Sequence, residues 1–105
     1  MHPRHAIEAS IEVRGPDGAI AGRTRDVSQG GIAALVDTPI APGTEVEIAI
    51  SLIFDEETFS EPLALPARVV WCTQLGERDH QIGTAFTRLS AEQSEFLGMF
   101  LRYLG

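Results

Sequence analysis

The sequence predicts an all-β domain of six short strands, a small barrel or sandwich, followed by one C-terminal helix. Two observations lead there. From residue 6 to residue 88, apolar and polar residues alternate in short runs separated by Gly, Pro and Asp clusters. From residue 90 to residue 104, the apolar spacing becomes that of a helix. A chain of 105 residues that is 44% hydrophobic and 22% charged fits one domain with its own core.

The elements follow in order. "HAIEASIEVR" alternates Ile7, Ala9, Ile11 and Val13 against polar neighbours, the pattern of a half-buried strand. "GPDG" supplies a tight hairpin turn through Asp-Gly. "AIAGRTRDV" reads as a second strand, with Gly22 expected to make it irregular. "GIAALVD" is a short apolar third strand, ended by "TPIAPG". "TEVEIAISLIF" places Val46, Ile48, Ile50 and Leu52 on one face of a fourth. "DEETFSEP" has four carboxylates in eight residues and reads as a surface loop. "LALPARVVWCTQL" is a fifth strand, in which Pro66 points to a bulge or an edge. "GERDH" turns the chain and "HQIGTAFTRL" returns as a sixth. Ser90 and Gln93 then stand at capping-box spacing, so Ser90 is the expected N-cap. Phe96, Leu97, Phe100, Leu101 and Leu104 make the apolar stripe that docks the helix.

The formal net charge is −7 and the pI about 4.8. A general DNA or RNA binder normally carries a basic face, so nucleic acid is not an expected partner. All eight basic residues are arginines. A single cysteine, Cys72, excludes an internal disulfide and a cysteine-rich metal site, and reads as a small buried hydrophobe. No run has membrane-spanning length and no signal core opens the chain, so a cytoplasmic location without membrane insertion is expected. His2, His5 and His80 lack the spacing of a zinc motif, and G-x-S-x-G is absent. No catalytic residue, metal or cofactor is expected, and the chain does not read as an enzyme.

"RTRDVSQGG", residues 23–31, stands out in an acidic chain. Asp26 and Ser28 fix turns by bonding nearby backbone, or point at a ligand. Gly30 and Gly31 allow positive φ or close backbone approach. Arg23 and Arg25 fall on one face of an alternating strand, as a local basic patch or as solvated side chains. From the residues alone, a plain loop explains the stretch better than a site does. Trp71, in "ARVVWCT", reads either as core or barrel-end packing or as a wall beside a ligand's base.

D-x-S-x-x-G, met by Asp26, Ser28 and Gly31, resembles the signature of the PilZ family of bacterial cyclic di-GMP receptors. "ARVVWC" at 67–72 and "HQIGTAF" at 80–86, with Ile82, Gly83 and Phe86, resemble the family's later strands in order and spacing. The resemblance implies a six-stranded antiparallel, split-type β-barrel over residues 6–88, a flexible arm at 1–5 and a helix at 90–104. It implies a cyclic di-GMP site at Arg4, Asp26, Ser28, Gly30 and Gly31, with His5, Arg23, Arg25 and Trp71 as secondary candidates. Arg4 has the place of the second arginine in the family's R-x-x-x-R clamp; the first would fall ahead of Met1. Two readings follow: a receptor and adaptor that acts on an effector protein as monomer or weak dimer, or a degenerate domain serving protein–protein contact without nucleotide.

Overall fold

The computed structural model describes residues 8–104. Six strands form a closed antiparallel barrel in the order β1-β2-β3-β6-β5-β4. They are β1 (Glu8–Gly15), β2 (Gly18–Val27), β3 (Gly31–Val36), β4 (Glu45–Ile53), β5 (Leu63–Gln74) and β6 (His80–Phe86), followed by α1 (Ala91–Leu104). The β1–β4 ladder, Glu8↔Ile53 to Arg14↔Glu47, closes the ring and removes the sheet edges. The β1–β2 hairpin turns where Asp-Gly predicts it, with Gly18 at φ +126°, a conformation that favours glycine.

The alternating positions fill the interior. Ile11, Val13, Ile32, Ile48, Ile50, Leu52, Leu65, Val69 and Ile82 form one buried cluster with Leu97 of the helix. Fully burying such a side chain stabilises by about 1.5–3 kcal/mol.

Three expectations need correction. Gly22 does not disturb β2: it pairs in register with Ile11 and Val36. A Cβ there would lie 2.8 Å from the Leu35 carbonyl oxygen, so the glycine serves close packing. Pro66 marks neither an edge nor a bulge. It pairs opposite Glu47, and its carbonyl accepts the Thr87 N–H at 3.0 Å on the β6 side. The missing proline N–H therefore falls on that same side, where the β5–β6 ladder ends at Ala67↔Phe86. Phe96 does not dock the helix; it is 42% exposed.

The N-cap forms as the spacing predicts: the Gln93 N–H donates to Ser90 Oγ at 3.1 Å, and the Ser90 N–H donates to Gln93 Oε1 at 2.9 Å. Gln93 Nε2 also donates to the Ala64 carbonyl at 3.1 Å, tying the first turn to β5. Leu97 enters the barrel core, and Phe100 and Leu101 pack against it. Near the C-terminus, Tyr103 meets Phe54 edge to face at 5.7 Å. The helix thus covers the barrel end where the β2–β3 turn and the 54–62 loop lie.

Candidate functional site

The site is set by strand parity. In β2, Ile20, Gly22 and Thr24 point inward, and strict alternation would send Asp26 inward as well. Instead the register shifts between Thr24 and Asp26, which pair with Ala34 and Ala33. Arg25 is the extra residue of this bulge. Asp26 is thereby turned to the outer face, and Val27 packs against the core. β5 does the same. Val69 pairs with Thr84, Trp71 with Gly83 and Cys72 with Ile82, so Val70 is the extra residue. Trp71 turns outward and Cys72 returns inward, partly buried against the core.

Between the two bulges run β3 and β6, where Ala33 pairs with Gly83. Asp26, Ala33, Gly83 and Trp71 therefore form one lateral row across four strands of the outer surface. With strands about 4.8 Å apart, the row spans roughly 14 Å at the backbone. Its middle is a floor of Ala and Gly; one end carries a carboxylate and the other an indole. The indole lies over Gly83: a Cβ there would clash with Trp71 Cε2 and Nε1. Trp71 is 40% exposed, so the core-packing reading of this residue is set aside. Beneath the floor, Thr84 Oγ1 accepts the Ile32 N–H at 3.2 Å and donates to its carbonyl at 2.9 Å.

The β2–β3 turn borders this row. Ser28 Oγ accepts the Gly30 N–H at 3.2 Å and the Gly31 N–H at 3.3 Å, and donates to the Gly31 carbonyl at 3.3 Å. The Ser28 N–H also donates to that carbonyl, at 3.0 Å. Ser28 thus holds the turn's shape. Neither Gly30 nor Gly31 has positive φ. Gly31 is needed for close approach, since a Cβ there would meet the Thr84 carbonyl oxygen. Gly30 has open space on that side, its nearest neighbour for a Cβ being Ser28 Oγ at 3.9 Å.

Asp26, Ser28, Gly30 and Gly31 line one shallow depression of about 280 Å³ together with Val70, Trp71, Gly83 and Thr84. The structure thus brings the turn residues and Trp71 together. Arg23 and Arg25 are exposed beside it on β2 and make no ion pair among the described residues. Arg14 and Arg68 differ: Arg14 bonds Glu12 at 2.7 Å and Glu47 at 2.9 Å, and Arg68 bonds Glu45 at 2.6 Å. The hydrogen bonds that Arg14 donates to the Glu12 and Glu47 carboxylates hold its guanidinium above its ordinary pKa. Arg4 and His5 lie outside the described residues. β1 starts at Glu8 on the same barrel end, with the Ala9 carbonyl accepting the Thr24 hydroxyl at 3.0 Å.

Two larger hollows lie at the opposite end, around the β1–β2 hairpin and residues 38–47. The more enclosed, about 570 Å³, is lined by Val13, Ile20, Ile40 and Val46, with Asp17 its one charged residue. It offers no cation to an anionic ligand. No cluster of three metal-ligating side chains occurs among the described residues, and no helix there is long and apolar enough to cross a membrane.

The architecture is a closed six-stranded barrel with a helix over one end and a shallow polar–aromatic row on its outer face. The sequence matches the PilZ domain family over residues 1–103, and the chain belongs to that family. Solved structures share the fold. The Bacillus subtilis inhibitor of motility MotI/DgrA is similar at 15% identity over 97% of this chain and 51% of its own, with a TM-score of 0.67. The PilZ domain of YcgR from Escherichia coli, solved with c-di-GMP, is similar at 14% identity over 92% of this chain and 82% of its own, with a TM-score of 0.67. The PilZ domain of CeSA from a cellulose-synthesizing bacterium reaches 25% identity over 95% and 94%, with a TM-score of 0.53. The chain spans about half the length of MotI/DgrA. A search of curated protein sequences gives no match.

The sequence reading missed the floor. Ala33 and Val70 carried no signal as single residues, and Gly83 stood only as part of a motif. Spacing does carry one: inward residues three apart, Thr24 to Val27 and Val69 to Cys72, where two is the rule, mark both bulges.

Proposed function

We propose that this chain is a cyclic di-GMP receptor that acts on a partner protein, with the nucleotide held on the outer face between Asp26 and Trp71. One observation carries the reading: two independent bulges turn these residues outward onto a single row floored by Ala33 and Gly83. A flat base fits over a floor of small residues, against the exposed face of the indole that covers Gly83. The indole stacks on the base; such stacking is worth about 1–3 kcal/mol per base. The Asp26 carboxylate accepts from the donor edge of guanine. Arg25 and Arg23, without carboxylate partners among the described residues, face the phosphates, and Arg4 joins them from the N-terminal segment. The Ser28 hydroxyl and Gly31 keep the turn shaped for this contact rather than binding by themselves.

A second reading draws on Ser28. Its hydroxyl is fully engaged within the turn, so the Asp-Ser-Gly set also serves as turn chemistry in a domain that contacts protein without nucleotide.

Calorimetric titration with cyclic di-GMP separates the two. The receptor reading expects saturable binding, weakened about ten- to a hundredfold by Asp26→Ala through loss of a charge-assisted hydrogen bond. Trp71→Ala is expected to weaken it about five- to a hundredfold. No heat at high micromolar nucleotide leaves only the second reading.

A further inference from the structure

The helix has a second apolar row that lies outside the core, touching the rest of the molecule where Tyr103 packs on Phe54. Phe96, Met99 and Tyr103 are 42%, 48% and 38% exposed, while Leu97, Phe100 and Leu101 face the core. The spacing 96, 99, 103 places the three on one stripe. Phe59, 70% exposed, projects from the adjoining 54–62 loop, which meets the helix where Phe54 packs on Tyr103. Single exposed apolar residues are ordinary on protein surfaces, but an aligned row of large ones marks a contact surface.

The charge around the row identifies what fits it. Glu92 and Glu95 stand one helical turn before Phe96 and Met99, and Glu56, Glu57 and Glu61 surround Phe59 in the chain. All five are exposed, and none has an ion-pair partner among the described residues. The helix carries one cation, Arg102. A second copy of this chain, also at net charge −7, would bring the same carboxylates against them. An anionic lipid surface would meet the same repulsion. We propose that the outer face of α1, with Phe59, docks a basic amphipathic segment of a partner protein, apolar side chains on the row and Lys or Arg on the acidic rim. This deepens the adaptor half of the proposed function and does not depend on nucleotide.

The test uses the full chain without nucleotide and a synthetic leucine–lysine amphipathic helix of about five turns, with its leucine–glutamate counterpart as control. The lysine peptide is expected to bind saturably, and both the double variant F96Q/M99Q and the double variant E92Q/E95Q to weaken it about tenfold. Thermal melts of the variants should match the parent, since all four side chains are exposed. Light scattering should show a monomer. The proposal is overturned by absence of binding, by equal binding of the glutamate peptide, or by affinity that neither double variant changes. A dimer dissociated by F96Q/M99Q would assign the row to a second copy and overturn it as well.

Discussion

Gly31 and Gly83 lie on paired strands at the same surface, and the account requires them to respond differently to one added methyl group. At Gly31 a Cβ would clash with backbone: the Thr84 carbonyl oxygen, its carbonyl carbon at 2.9 Å and the Ala85 Cα at 3.2 Å. Neither strand yields without breaking the β3–β6 ladder. Gly31→Ala is therefore expected at the upper end of the usual range for overpacking, about 3 kcal/mol. At Gly83 the obstacle is one side chain, with Trp71 Cε2, Nε1 and Cζ2 all within 2.6 Å of the added carbon. The indole is 40% exposed and can swing into solvent. Gly83→Ala then forfeits mainly the indole's contact with the floor, about 1 kcal/mol. The chain has one tryptophan, so urea denaturation followed by its emission reads stability and indole exposure together. Gly83→Ala should red-shift the native emission and weaken cyclic di-GMP binding as much as Trp71→Ala does. A Gly83→Ala cost equal to that of Gly31→Ala, or an unmoved emission maximum, refutes the stacking of Trp71 on Gly83.

The helix supplies three further predictions. Leu97→Ala should cost about 2–5 kcal/mol and loosen the helix, whereas Phe96→Ala should stay within about 0.5 kcal/mol; equal losses in chemical denaturation would contradict the assignment of inner and outer faces. Ser90→Ala should lower stability by about 1 kcal/mol through loss of the N-cap, seen as a lower denaturation midpoint. Gly98→Ala should stabilise by up to about 1 kcal/mol. The added Cβ would stand 3.6 Å from Gln29 Nε2, an ordinary contact, while helix propensity improves. A fall in melting temperature would show that Gln29 has no room to accept it.

Much of the fold is legible in the sequence because period-two alternation and turn chemistry are local. Ala9 to Val13, Val46 to Leu52, the Asp17-Gly18 turn and the Ser90–Gln93 box can each be read without knowing their neighbours in space. Barrel closure is not local: the pairing of Glu8–Arg14 with Glu47–Ile53 joins segments far apart in the chain. The misreadings share that cause. Pro66 is tolerated because of where β6 ends, Gly22 because of what Leu35 and Val36 occupy, and Phe96 points outward because of how the helix rotates onto the barrel. The candidate site was half legible. Asp26, Ser28 and Gly31 announce a shaped turn, but the orientation of Asp26 and Trp71 depends on bulges at Arg25 and Val70, which only the register with β3 and β6 reveals.

The most direct test of the central claim is a backbone and indole NMR titration of the chain with cyclic di-GMP. The account predicts saturable shifts at Arg4 and its neighbours, the 23–33 segment, Val70, Trp71 with its indole N–H, Gly83 and Thr84, which need about ten- to a hundredfold more nucleotide in Asp26→Ala. Shifts centred on the hollow of Val13, Ile20, Ile40 and Val46 at the opposite barrel end, or no shifts at high micromolar nucleotide, would contradict it.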